Sequence, residues 1–244
     1  MHQLELAQDL LDNPEGDPAS AAELVHDTLE TLEVVHPETA QRYLPEARVF
    51  RLPHRPGGMR EGLPNALPGT LDAAFRPRGE SGTLVLDVAQ CRAIAIPRTY
   101  LDRLWLQASM SECSLLWATG PTWAVAAHIG FSFTHEASGA LHLARQFGCD
   151  ALSVICAHPR THALTPYPCS TPRDQPADYA AAGCRTHIYR ATSLGRRAWR
   201  GLAYPVIARD TLYLLRGDTL TADFWQGTDL ARPAAARHPY PIAA

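Results

Sequence analysis

Cys156 and His158 are the residues whose types and spacing most directly imply chemistry. They close the run Ser153-Val154-Ile155-Cys156-Ala157-His158-Pro159. Residues two apart on a strand point to the same face, so a nearly all-apolar strand ends in two same-facing side chains that both suit Zn²⁺. The loop that follows carries Ser170, Thr171 and Asp174. A carboxylate there can serve as a third ligand, leaving the fourth position to water as in catalytic zinc sites. Glu112 heads a second apolar run, Glu112-Cys113-Ser114-Leu115-Leu116, and is a candidate general base toward that water. The same residues also have a plainer reading: a core cysteine, a loop histidine with its hydrogen bonds met, and a solvated glutamate at a strand start.

Other motifs carry less. His135-Glu136 lacks the second histidine of a zincin. Pro168-Cys169 lacks the partner cysteine of a zinc deaminase. Cysteines stand at 91, 113, 149, 156, 169 and 184 with no CxxC pair, which excludes a zinc ribbon or thioredoxin motif. Reduced thiols are expected, with Cys91 and Cys149 in the core. His162 and His187 have no spacing that demands a ligand role. Arg55-Pro56-Gly57-Gly58 reads as a turn in a linker, and Arg196, Arg197 and Arg200 as a solvated basic group.

The elements that must position these residues follow from composition and periodicity. A chain of 244 residues, 46% hydrophobic and 19% charged, is an ordinary globular protein with room for one large or two small domains. Its formal net charge of −3 argues against a strongly electrostatic nucleic-acid binder. No apolar run is long enough for a transmembrane helix. The opening MHQLELAQDLLDN lacks a basic and an apolar region, so no signal peptide is expected and the cytoplasm is the default location. All 22 basic residues are arginine, a bias that a GC-rich genome explains.

Residues 1–45 read as helix interrupted at Pro37, and 47–52 as a short strand. The Pro/Gly/Arg-rich stretch 53–80 reads as a loop or linker. The expected organisation is therefore an N-terminal helical region over 1–80, a second domain over 81–226, and a flexible tail over 227–244. Within the second domain the patterns predict strands at GTLVLDVA and CRAIAI, a helix at RTYLDRLWLQASM, and strands at SECSLLWATG and TWAVAAHIGFSFT. A helix at SGALHLARQFG and a buried strand at ALSVICAH come next. A proline-rich loop, a helix or turn at ADYAAAG and strands near THIYRAT, LAYPVIA and TLYLLRG complete the order. This is an α/β or α+β arrangement on one mixed sheet.

The layout over residues 92–190 resembles the JAB/MPN (JAMM) metalloprotease domain. Glu112, Leu115 and Leu116 match the family's glutamate-headed strand, with Ser114 where glycine is usual and Gly120 arriving late. His158-Pro159 matches the second half of its H-x-H-P motif, and Cys156 stands in the first histidine position. The serine and aspartate that follow in the family are matched by Ser170 (or Thr171) and Asp174, after a longer loop. The resemblance implies an MPN-like mixed sheet flanked by helices, with Zn²⁺ held by Cys156, His158 and Asp174. It implies Glu112 as proton carrier and Ser170 as hydrogen-bond donor to the oxyanion. The implied substrate is a ubiquitin-like protein or its conjugate, cut after the modifier's C-terminal glycine by a zinc isopeptidase. The alternative within the family is a catalytically inactive scaffold that binds a partner. A lysine-free enzyme would also escape modification on its own lysines by the system it trims.

Overall fold

The computed structural model describes residues 2–13, 18–53, 65–66, 71, 75–80, 82–108, 113–130, 133–159, 183–191, 203–209, 211–216 and 223–225. The N-terminal segment forms helices α1 (Gln3–Asp12), α2 (Pro18–Thr31) and α3 (Pro37–Tyr43). Pro37 opens α3 at its first turn, where the missing N–H costs nothing. The strands in chain order are β1 (Arg48–Arg51), β2 (Asn65–Ala66), β3 (Phe75–Glu80), β4 (Thr83–Val88), β5 (Arg92–Pro97), β6 (Leu104–Gln107), β7 (Ser114–Thr119) and β8 (Trp123–Ile129). Then come α4 (Ser138–Gln146), β9 (Ala151–Pro159), β10 (Arg185–Ala191), β11 (Ala203–Ala208), β12 (Thr211–Arg216) and β13 (Asp223–Trp225).

These strands make two sheets. The first runs β10-β9-β7-β8-β5-β1-β2 and the second β13-β12-β11-β6-β4-β3. Each sheet contains one parallel pair, β10 with β9 and β4 with β6, among antiparallel ones. The fold is α+β, as the pattern of elements predicts. The single mixed sheet expected from sequence is corrected to two. The reason lies in the apolar runs. Five buried residues of β5 and all six of β7 leave neither face for solvent, and a sheet covered on both faces needs a second layer on each.

The layers are legible in the burial. Alternate residues of the first sheet (Ile94, Ile96, Leu115, Trp117, Ala124, Ala126) meet Leu84, Leu86, Leu104 and Leu106 of the second in one core between the sheets. The opposite side of the first sheet (Ala93, Ala95, Leu116, Ala118, Val125, Ala127) packs on Ala140, Leu141, Leu143 and Ala144 of α4. The far side of the second sheet (Val85, Trp105, Val206, Ala208) is covered by Leu4, Ala7 and Leu11 of α1 and Val25 and Leu29 of α2. The loop expected over 53–80 is corrected at its end, where Phe75–Glu80 form β3 and pair along their whole length with β4, so the boundary expected near residue 80 falls on the β3–β4 hairpin, whose register pairs Glu80 with Thr83.

The helix expected over 98–110 is also corrected. A 3₁₀ turn at Arg98–Arg103 leads directly into β6. Leu104 and Leu106 enter the core between the sheets, while Trp105 lies under α1 and α2. Two-sided burial with period two outweighs the helical spacing of Leu101, Leu104 and Trp105. The strand expected over TWAVAAHIGFSFT ends at Ile129, and residues Phe133–Ala137 form a π-helical turn that runs into α4. Gly148 ends that helix with φ of +67°, the left-handed conformation that glycine adopts without a Cβ penalty. No helix among the described residues is long and apolar enough to cross a membrane.

Candidate active site

One end of the first sheet collects an unusual set of side chains. Strand β4 delivers Val88, and the turn after it carries Ala89, Gln90 and Cys91 into β5. Strand β8 ends at Ile129, beside the start of β7. His128 occupies a position that the alternation of β8 assigns to the core between the sheets, after Ala124 and Ala126. It is only 4% exposed. Its Nδ1 lies 2.7 Å from the carbonyl oxygen of Val88. A carbonyl only accepts, so Nδ1 carries the proton and Nε2 keeps a lone pair. That Nε2 is buried and has no hydrogen-bond partner among the described residues. Burial pushes the imidazole below its usual pKa, against the opposing pull of the Val88 bond and the charge of Glu136. The ring is therefore held neutral, in one tautomer, with its basic nitrogen unengaged.

Cys113 immediately precedes β7 and is 5% exposed. The β7–β8 register pairs Ser114 with Ile129 and Leu115 with His128. One further step sets Cys113 across from Gly130, with His128 its diagonal neighbour. Cys113, Leu115 and Trp117 all enter the core between the sheets, the same side as His128. Diagonal neighbours of this kind stand within about 7–8 Å at Cβ, inside the reach of an imidazole. Gln90, at the exposed rim, directs its Nε2 to the Cys113 sulfur at 3.7 Å.

A second thiol lies close by. Cys91 adopts φ of +62°, donates its backbone N–H to the His128 carbonyl at 2.8 Å, and directs Sγ to Glu136 Oε1 at 3.2 Å. Burial, then the charge of Glu136 and this hydrogen bond, push its thiol up to about 12. Cys91 is thus a protonated donor. Glu136, fully buried in the π-helical turn, also accepts a short hydrogen bond from the Gly130 N–H. A Cβ on Gly130 would meet Cys91 Sγ, Gln90 Nε2 and Glu136 Oε2 at 3.0 Å each. Glycine is the residue that lets these three groups converge.

The site expected from sequence is built from other residues. Glu112, Ser170 and Asp174 fall outside the described residues, as do Thr171 and all of the ADYAAAG segment except its final Gly183. Cys156 and His158 stand on β9, with Cys156 directly across from Ser114 of β7, and their side chains are not among those described. Among the described residues no group of three His, Cys, Asp or Glu side chains is placed to hold a metal ion. Of the two cysteines expected in the core, Cys149 is buried and Cys91 is half-buried at the turn. Sequence reasoning passed over Cys113 and His128. The available signal was a lone histidine inside the apolar alternation of AVAAHI, at a core-facing position.

No family model matches the chain, and no curated protein matches it. Among solved structures it is similar to the C-terminal domain of CNFy from Yersinia pseudotuberculosis, with a TM-score of 0.42 and 9% sequence identity over 92% of each chain.

Proposed function

We propose that the chain is a thiol-dependent acyl-transfer enzyme that cleaves an amide or ester through Cys113 and His128. The observation that carries this reading is the orientation of His128: Nδ1 is committed to the Val88 carbonyl and the unpartnered Nε2 lies on the face that carries Cys113. A nucleophile, a base and a third group that orients the base are the parts that nucleophilic catalysis needs. Nε2 takes the Cys113 proton as the sulfur attacks the carbonyl carbon. The C–S bond forms and the carbonyl π-bond moves onto oxygen. The Gln90 amide, already beside the sulfur, is a donor for that oxyanion. Collapse expels the amine or alcohol, which leaves with the proton from His128. Water, deprotonated by the same nitrogen, then hydrolyses the thioester and frees the thiol. The Val88 carbonyl also stabilises the imidazolium that forms in both half-reactions.

A burst assay with a p-nitrophenyl ester tests the reading. Wild type should release a stoichiometric burst, while Cys113→Ala and His128→Asn lose it by about 10²-fold or more. A burst that survives in Cys113→Ala would refute it.

A second reading is the zinc isopeptidase of the JAMM type on Glu112, Cys156, His158, Ser170 and Asp174, acting on a ubiquitin-like protein. It is favoured by the β9 register, which sets Cys156 across from the first residue of β7, two residues after Glu112 in the chain. Cysteine and histidine two apart on a strand are a sound donor pair for Zn²⁺, which when bound would supply a Lewis acid. Metal analysis of protein prepared without chelator separates the readings. Stoichiometric zinc lost in Cys156→Ser supports the second, whereas a metal-free protein with a Cys113-dependent burst supports the first.

A further inference from the structure

Beside the thiol and imidazole the same sheet end carries two guanidinium groups. The β1–β5 register sets Arg51 directly across from Arg92, and the β5–β8 register sets Arg92 directly across from His128. Arg51, Arg92 and His128 therefore form one row on one face, the face whose interior positions are Val49, Ile94 and Ala126. Like charges directly opposite on paired strands repel. Among the described residues neither guanidinium has a carboxylate partner. Arg92 donates Nη1 to the Cys91 carbonyl at 3.2 Å, which fixes the fork, while its Nε is buried and unpartnered. Glu136 directs its two oxygens to Cys91 and Gly130. Arg51 is exposed, so the row runs from solvent toward the catalytic pair.

We infer that Arg51 and Arg92 are the substrate-recognition edge of this centre, and that the acyl group it takes carries a carboxylate. The inference rests on the thiol–imidazole reading and adds the substrate class to it. Adjacent strands are about 4.8 Å apart, so the two guanidinium-bearing strands lie one and two spacings from the one that holds His128. An oxyanion between the arginines would relieve their repulsion and fill donors now unmet. The planar fork suits a carboxylate through paired N–H bonds. The match predicts a substrate whose carboxylate stands a few bonds from the scissile carbonyl, as in an acidic amino-acid derivative.

The test uses the full chain and two alkylating reagents that differ only in charge: N-iodoacetyl-β-alanine and its uncharged amide. In both, the Cys113 sulfur displaces iodide. The ratio of their rates at Cys113, read by peptide mass spectrometry, cancels any change in thiol reactivity. Wild type should favour the charged reagent by about 10-fold or more, with the preference collapsing at high salt. Arg51→Gln and Arg92→Gln should each lower the ratio, and the double variant should bring it to unity. Because Arg51 is exposed, its variant keeps the test open if Arg92→Gln disturbs folding. Equal rates in wild type, or a preference that survives the double variant, would overturn the inference. Failure of the thiol–imidazole reading is read separately, as labelling by the uncharged reagent that His128→Asn leaves unchanged.

Discussion

His128 illustrates how one backbone carbonyl can set the chemistry of a side chain. The Val88 oxygen fixes the tautomer, and burial fixes the charge state. The same arrangement has a cost that pH reveals. In the unfolded chain the imidazole takes a proton as pH falls through its ordinary value of 6.5, whereas the folded site resists it. The unfolded state then binds more protons, so the contribution of this group to stability is present above pH 6.5 and is lost as pH falls toward the lowered folded value. Urea midpoints measured from pH 8 to pH 5 should therefore drop on the acidic side, and His128→Asn should flatten that part of the profile. Glu136 acts on the Cys91 thiol. Glu136→Gln removes the negative charge beside Cys91 while keeping an oxygen for the Gly130 N–H. The Cys91 thiol should then titrate below its present value of about 12, and iodoacetamide labelling of Cys91 at alkaline pH should rise. No rise would mean that burial alone holds the thiol protonated.

At the scale of elements, the turns carry as much of the design as the strands. Gly120, after β7, lies against the end of α4, where a Cβ would run into the backbone of Gly148 and Cys149. Backbone cannot swing aside as a side chain can. Gly120→Ala should cost about 1–3 kcal/mol, the range for overpacking a tight contact, read as a lowered denaturation midpoint. The strands themselves were legible in the sequence. Val85, Ile94, Leu115 and Ala126 sit in short apolar runs bounded by Gly, Pro or polar turns, and the elements β4, β5, β7 and β8 fall where those runs are. What the patterns missed were β3, whose Pro77 and Gly79 read as loop until β4 pairs with them, and β6, since Leu101, Leu104 and Trp105 satisfy helical spacing and only pairing with β4 selects the strand. The site was less legible for a related reason. Cys156 and His158 are two apart in sequence and announce themselves. Cys113 and His128 become diagonal neighbours only through the β7–β8 register, and the orienting group is a main-chain carbonyl from the other sheet, which no side-chain motif records.

The described residues form a stack of four layers: α1 and α2, the β3-containing sheet, the β7-containing sheet, and α4. The thiol–imidazole pair belongs to the middle interface, while the N-terminal helices cover the outside of the second sheet. That separation predicts which damage reaches the site. Leu29 of α2 is 1% exposed, in the cluster that includes Trp105 and Val206. Leu29→Ala leaves a cavity in that outer cluster and should cost about 2–5 kcal/mol of stability. Val88, His128 and Cys113 lie on the opposite side of the second sheet from that cavity, so their relative positions need not change. The alkylation rate of Cys113, measured well below the denaturation midpoint, should therefore equal that of wild type while the midpoint falls. A rate that moves with stability would mean that the outer helices set the spacing of the two sheets, and hence the distance between the Val88 carbonyl and His128. In that case the N-terminal layer would belong to the architecture of the proposed site.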